Sequence, residues 1–121
     1  MFPPPVALSL ALCDYVIVEA GTEKISLIGT FSKMAVDGFT TPARPFCVFA
    51  AFTDGAGHAM IDSSVTNLDS IQTRVFFPNK LHEVNLIYRI NDCLFPTPAW
   101  YEFALLVDGE LLAQRRMEII S

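Results

Sequence analysis

Trp100-Tyr-Glu-Phe-Ala-Leu-Leu-Val-Asp-Gly-Glu-Leu-Leu-Ala113 decides the fold class. Tyr101, Phe103, Leu105 and Val107 alternate with less apolar neighbours, the period of a half-buried strand. Asp108-Gly109 then supplies the residue pair that best tolerates the two positive φ angles of a type I′ turn. The stretch reads as a β-hairpin. With a two-residue loop, Leu105 faces Leu112 and Glu102 faces Arg115 in an outer-face ion pair. That register sends Gln114 and Arg116 to the apolar face and Met117 and Ile119 away from it. A bulge near Gln114 to Arg116, or a longer loop, restores the pattern.

A hairpin with one apolar face needs a second surface to cover it, and the rest of the chain offers strands. Ala7 to Glu19 reads as one long strand or two joined at a bend. It lacks clean alternation, which implies apolar contacts on both faces, and Tyr15-Val-Ile-Val18 is too β-branched to favour helix. Ala20 to Lys24 is a turn and Ile25 to Ile28 the returning strand, ended by Gly29. Phe31 to Val36 fits either a strand or a short helical turn. Gly38 to Pro45 has turn chemistry.

Phe46 to Phe52 is a near-continuous apolar run of central-strand length, closed by a loop at Asp54-Gly-Ala-Gly57 that reads as a hairpin. Ala59 to Thr66 follows, with Ile61 and Val65 on one face. After a turn at Asn67 to Ser70, Ile71, Thr73, Val75 and Phe77 alternate with Gln72 and Arg74. The best period-two pattern puts Val84, Leu86, Tyr88 and Ile90 on one face and Glu83, Asn85, Arg89 and Asn91 on the other, with Ile87 the exception. About eight strands and no helix of ten residues predict an all-β fold. The expected form is an antiparallel β-sandwich with Greek-key-like connections, the alternative being a flattened barrel.

A chain of 121 residues makes one domain, expected over residues 6–121 behind a flexible tail at 1–5, where three prolines cannot join a sheet interior. The hydrophobic fraction of 52%, with ten phenylalanines, exceeds what so small an interior readily absorbs and leaves apolar surface for an interface. A formal charge of −5 gives nucleic acid and anionic membrane no electrostatic reason to bind. Cys13, Cys47 and Cys93 are far apart and set among apolar residues, the pattern of structural thiols in a reducing compartment. Val6 to Ala20 has neither a basic start nor freedom from charge, so it does not read as a signal peptide, and the expected location is the cytoplasm.

Three segments, Ala11-Leu-Cys-Asp-Tyr15, Lys24-Ile-Ser-Leu-Ile-Gly-Thr-Phe31 and Phe95 to Ala113, together resemble an uncharacterised family of small single-domain bacterial proteins with no assigned activity. The resemblance spans almost the full length and implies a β-rich fold and a bacterial source. It carries no catalytic residue. Ala99-Trp100 stands where the resemblance leads one to expect a glycine before the tyrosine strand.

Candidate chemistry is sparse. Cys13, as a nucleophile, needs a nearby base, and neither His58 nor His82 is placed beside it by spacing. Cys13 and Asp14 also point to opposite faces of a strand. A metal site would require His58, His82 and Cys93, with Asp62 or Asp92, to converge without any familiar ligand spacing. Asp54-Gly55 and Asp108-Gly109 read as turns, and no phosphate-binding loop or nucleophile elbow is present. No cofactor is expected. Aromatic residues remain. If Phe77 is inside, Phe76 and Arg74 are outside, and Trp100 and Tyr101 split in the same way. Arg74, Phe76 and Trp100 are therefore the expected protein-interface residues. The expected function is a non-enzymatic protein-binding or structural module that acts through a protein partner or self-association; the alternative is a small-ligand carrier or enzyme with a pocket between the sheets.

Overall fold

The computed structural model describes residues 5–36, 38, 43–65, 69–79, 81–91 and 93–120. Nine strands form two sheets, β1 (Val6–Val18), β2 (Ile25–Thr30), β3 (Lys33–Ala35), β4 (Phe46–Thr53), β5 (Gly57–Val65), β6 (Asp69–Phe77), β7 (Val84–Ile90), β8 (Ala99–Val107) and β9 (Glu110–Ile120). One sheet runs β2-β1-β4-β7 and the other β3-β9-β8-β5-β6, an all-β sandwich in which one sheet is curled into a half-barrel. All pairs are antiparallel except β3 with β9.

The core lies between the sheets because one alternation class of every long strand is apolar. Leu12, Phe46, Val48, Tyr88 and Ile90 from the first sheet meet Val65, Tyr101, Phe103, Met117 and Ile119 from the second. Phe46 sits edge-on to Phe103 with ring centroids 5.8 Å apart. A second cluster, with Phe52, Ile61, Phe77 and Leu105, fills the other end. Aromatic side chains of this size bury much of the area that stabilises so small a domain.

The C-terminal hairpin forms around Asp108 and Gly109, both at positive φ (49° and 87°). Its register differs from the simple two-residue expectation. Leu106 faces Leu111, Leu105 faces Ala113, and the extra residue is Leu112 rather than one of Gln114 to Arg116. Glu102 consequently pairs with Arg116, at 3.4 Å, instead of Arg115. The bulge comes early because it returns Met117 and Ile119 to the core, where both are buried.

One open alternative is decided, and two other expectations need correcting. Phe31 to Val36 contains the short strand β3, held parallel to β9, with no helical turn. The loop at Asp54 to Gly57 joins β4 to β5 across the two sheets and is not a hairpin. Asp54 and Gly57 both take positive φ there. β6 begins at Asp69, earlier than the turn expected through Ser70; Thr66 to Leu68 lie outside the described residues, as do Met1 to Pro4 of the expected tail. Pro5 is buried.

Tyr101 ties the entry of β8 to the segment before it. Its hydroxyl donates to the Thr97 carbonyl at 2.7 Å and accepts from the Thr97 N–H at 3.3 Å, a tyrosine corner of the kind found in sandwich domains.

Candidate functional site

β4 is buried along both faces from Phe46 to Phe52, although only one face meets the other sheet. Register explains what lies on the second. Cys13 faces Cys47 and Cys47 faces Arg89; Ala11 faces Phe49 and Phe49 faces Ile87; Ser9 faces Ala51 and Ala51 faces Asn85. These rows point away from the core residues Leu12, Val48 and Tyr88, since alternate strand residues take opposite faces. Of these rows Ser9, Phe49, Ala51 and Asn85 form the floor of an open trough of about 470 Å³, which Glu23, Lys24, Ile25, Leu27 and Glu83 also line. The four-stranded sheet thus curls so that the β1–β2 hairpin overhangs its own outer face.

The turning point is Asp14 opposite Gly29. Beyond Cys13, β1 outruns β4 and has only β2 for a neighbour, so Tyr15 to Val18 and Ile25 to Ile28 make a two-stranded arm. Gly29 has φ +69°, a conformation costly for any residue with a Cβ, and a Cβ there would stand 2.5 Å from Asp14 Oδ2. The carboxylate that takes this space pairs with Arg44. Arg44 in turn lies over the Phe31 ring, 5.4 Å from its centroid, so the bend is locked by one ion pair and one cation–π contact. The side of the arm turned from the trough is apolar and open: Tyr15, opposite Ile28, is 60% exposed, and Ile17, opposite Ser26, is 53% exposed.

Cys13 and Cys47 stand side by side beneath this region, reduced and buried. Burial chiefly, with Cys47 and Asp14 adding to it, pushes the Cys13 thiol above its ordinary range, opposite to what a nucleophile needs. Arg89 Nη1 reaches Cys47 Sγ at 3.9 Å. Cys93 is buried in the core cluster.

The remaining candidates fall on the other sheet. Arg74 and Phe76 are exposed, two residues apart on the outer face of β6, opposite Met60 and His58 respectively. The His58 and Phe76 rings are 4.9 Å apart. Trp100 is 61% exposed on the same outer face. Extending the β5–β8 register places it ten residue steps beyond His58, roughly 33 Å along the sheet. Phe77 and Tyr101 are buried, as the alternation predicts. The face carries one aromatic near each end, with Glu102, Arg116, Ala104 and Ser64 between. Among the described residues, no three of His, Cys, Asp and Glu converge as metal ligands; Asp92 lies outside them.

The trough, the arm and Tyr15 were missed by sequence reasoning. The available signal was the broken alternation of Ala7 to Glu19, which marks a strand apolar on both sides.

Fold and surface define a small all-β domain with no catalytic metal site, disulfide or active-site cluster among the described residues. The chain belongs to DUF6941, a family of unknown function whose model matches residues 8–120. No curated protein matches the sequence. Among the described residues, no helix is long and apolar enough to cross a membrane.

Proposed function

We propose that this domain is a non-enzymatic contact module of the bacterial cytoplasm, working through protein partners. The observation that carries the proposal is the outer face of the five-stranded sheet, where Trp100 and Phe76 stand exposed, 61% and 55%, together with Leu111. An exposed tryptophan and an exposed phenylalanine with Arg74 beside it are the residue types that dominate protein interfaces. Three reduced cysteines favour a reducing compartment, and the net acidic charge disfavours nucleic acid.

The test is capture of partners from native lysate by the tagged protein, with mass spectrometry for identity and light scattering for stoichiometry. A near-stoichiometric protein lost on Trp100→Ser or Phe76→Ser supports the module. Because these residues are far apart, loss on only one of them locates the contact at one end of the face. Absence of any partner rejects it.

The trough of about 470 Å³ favours a second reading, a small-ligand carrier. Its floor of Phe49 and Ala51 suits an apolar group, and Lys24 with Glu23 and Glu83 gives its lining charges of both signs. A fluorescent fatty acid that binds the protein and is excluded by Ala51→Trp supports that reading; failure to bind such amphiphiles counts against it.

A further inference from the structure

We infer that two copies of this protein associate through the free edge of β2, Ile25–Thr30 of one pairing antiparallel with Ile25–Thr30 of the other across a two-fold axis. The inference rests on the contact-module reading but names its own surface and occupant.

A sandwich has four sheet edges, and a bare edge is a template for another strand. Three of them here are guarded. β3 is three residues long, with Lys33 paired to Glu118 at 3.5 Å. β6 carries Arg74 and is stopped by Pro78; β7 carries Asn85 and Arg89. β2, Ile-Ser-Leu-Ile-Gly-Thr, has no charge and no proline. Among the described residues its strand partner is β1 alone, and Ser26, Ile28, Gly29 and Thr30 are exposed. Gly29 distorts only one end, leaving Ile25 to Ile28 regular and free.

What covers a strand edge must present N–H and C=O groups in β register, so the occupant is another strand. A second copy fits for a reason of symmetry. In a two-fold pairing each residue meets its own strand in reverse, so a charge near the middle of the strand would be brought close to its own copy. An uncharged β2 brings no like charges together, and Lys24 falls at the two outer ends of the ladder. The neighbouring side chains extend the contact. Tyr15 and Ile28 form one exposed row and Ile17 lies beside Ser26, so the two-fold joins two apolar faces into one. Tyr15, Ile17 and Ile28 are 60%, 53% and 45% exposed. At ~200 Å² for each side chain this offers roughly 300 Å² per copy, well below the ~800 Å² per partner of a standard interface, so the dimer is a weak and reversible one in which the strand ladder supplies the register.

Sedimentation velocity of the full chain from about 1 to 100 µM tests the inference. The expected result is a sedimentation coefficient rising with concentration toward that of a dimer. Amide exchange at residues 25–30 should slow over the same range. Ser26→Lys with Ile28→Lys, both at exposed positions, should weaken dimerisation at least tenfold while leaving the melting temperature of dilute protein unchanged. Three results overturn the inference: a lysine variant that dimerises as tightly as the native chain, dimerisation lost on Trp100→Ser or Phe76→Ser instead, or a native chain monomeric throughout. A monomeric chain that still holds a stoichiometric partner from lysate rejects the edge pairing and spares the contact module. One that holds none rejects both.

Discussion

Replacing Gly29 by alanine should unlock the bend that carries the β1–β2 arm over the trough. Two costs are separable. An L-residue in the left-handed region at φ +69° costs about 1–2 kcal/mol. The new Cβ also meets Asp14 Oδ2 at 2.5 Å, so the carboxylate must leave its place and its Arg44 partner. A displaced rotamer costs about 0.5–1.5 kcal/mol and a half-exposed ion pair at most ~1 kcal/mol. The sum is about 2–4 kcal/mol. Unfolding entropy of ~2.1 cal/mol/K per residue gives a chain of 121 residues roughly 0.25 kcal/mol/K, so the melting temperature should fall by about 8–16 °C. In an Asp14→Ala background the carboxylate clash and the ion pair are gone, leaving the backbone cost and a tight 3.3 Å approach to the Cβ at position 14, and the same substitution should remove about 1–2 kcal/mol. Calorimetry or denaturant melts of the four proteins complete the cycle. A fall of less than ~3 °C in the native background, or equal losses in both backgrounds, refutes the account of the bend.

Other substitutions probe the frame around it. Tyr101→Phe removes the corner hydroxyl; because Thr97 is exposed and water can replace it, the loss in denaturant melts should stay near 1 kcal/mol. Gly55→Ala puts a Cβ 2.6 Å from the buried Phe77 ring and should cost about 1–3 kcal/mol or more by the same assay, without any positive φ to blame. Burial raises the Tyr88 pKa, partly offset by its hydrogen bond to Thr73 and reinforced by Asp62. The unfolded chain therefore ionises first, and the contribution is intact below pH 10 and lost as pH climbs toward the folded-state pKa, a loss that Tyr88→Phe should remove from the alkaline limb of a stability–pH curve. Cys13, buried with a raised pKa, should react with a thiol reagent such as DTNB only as fast as the domain opens, so added denaturant should speed labelling by orders of magnitude.

Alternation made most of the sandwich legible. Val84, Leu86, Tyr88 and Ile90 face inward and Phe76 and Trp100 outward because period two leaves each residue a single choice of face. Sheet membership was harder. The loop at Asp54 to Gly57 has hairpin residues, yet β4 pairs with β1 and β7 while β5 pairs with β6 and β8. Turn chemistry specifies a reversal of direction; which sheet receives the next strand depends on packing between distant residues. The bulge at Leu112 was misplaced for a related reason, since several positions restore Met117 and Ile119 and only the neighbouring strands choose among them. The trough stayed hidden because its floor, Phe49 and Ala51, sits in an apolar run that a buried central strand explains equally well. Its overhang depends on one glycine and one carboxylate 15 positions apart in sequence.

The single parallel pair has a consequence for how the chain comes into being. Lys33 of β3 finds its place beside Glu118, 85 positions later. At ribosomal speeds of ~5–20 residues per second, β3 waits about 4–17 s for the strand that completes it. During that interval β1, β2 and β4 are made before the opposing sheet is complete, and Leu12, Phe46 and Val48 lack the Met117 and Ile119 of β9 that finish their core. The nascent domain thus exposes its stickiest face to the cell for seconds, a window in which holding chaperones, rather than the finished contacts, govern how much protein survives.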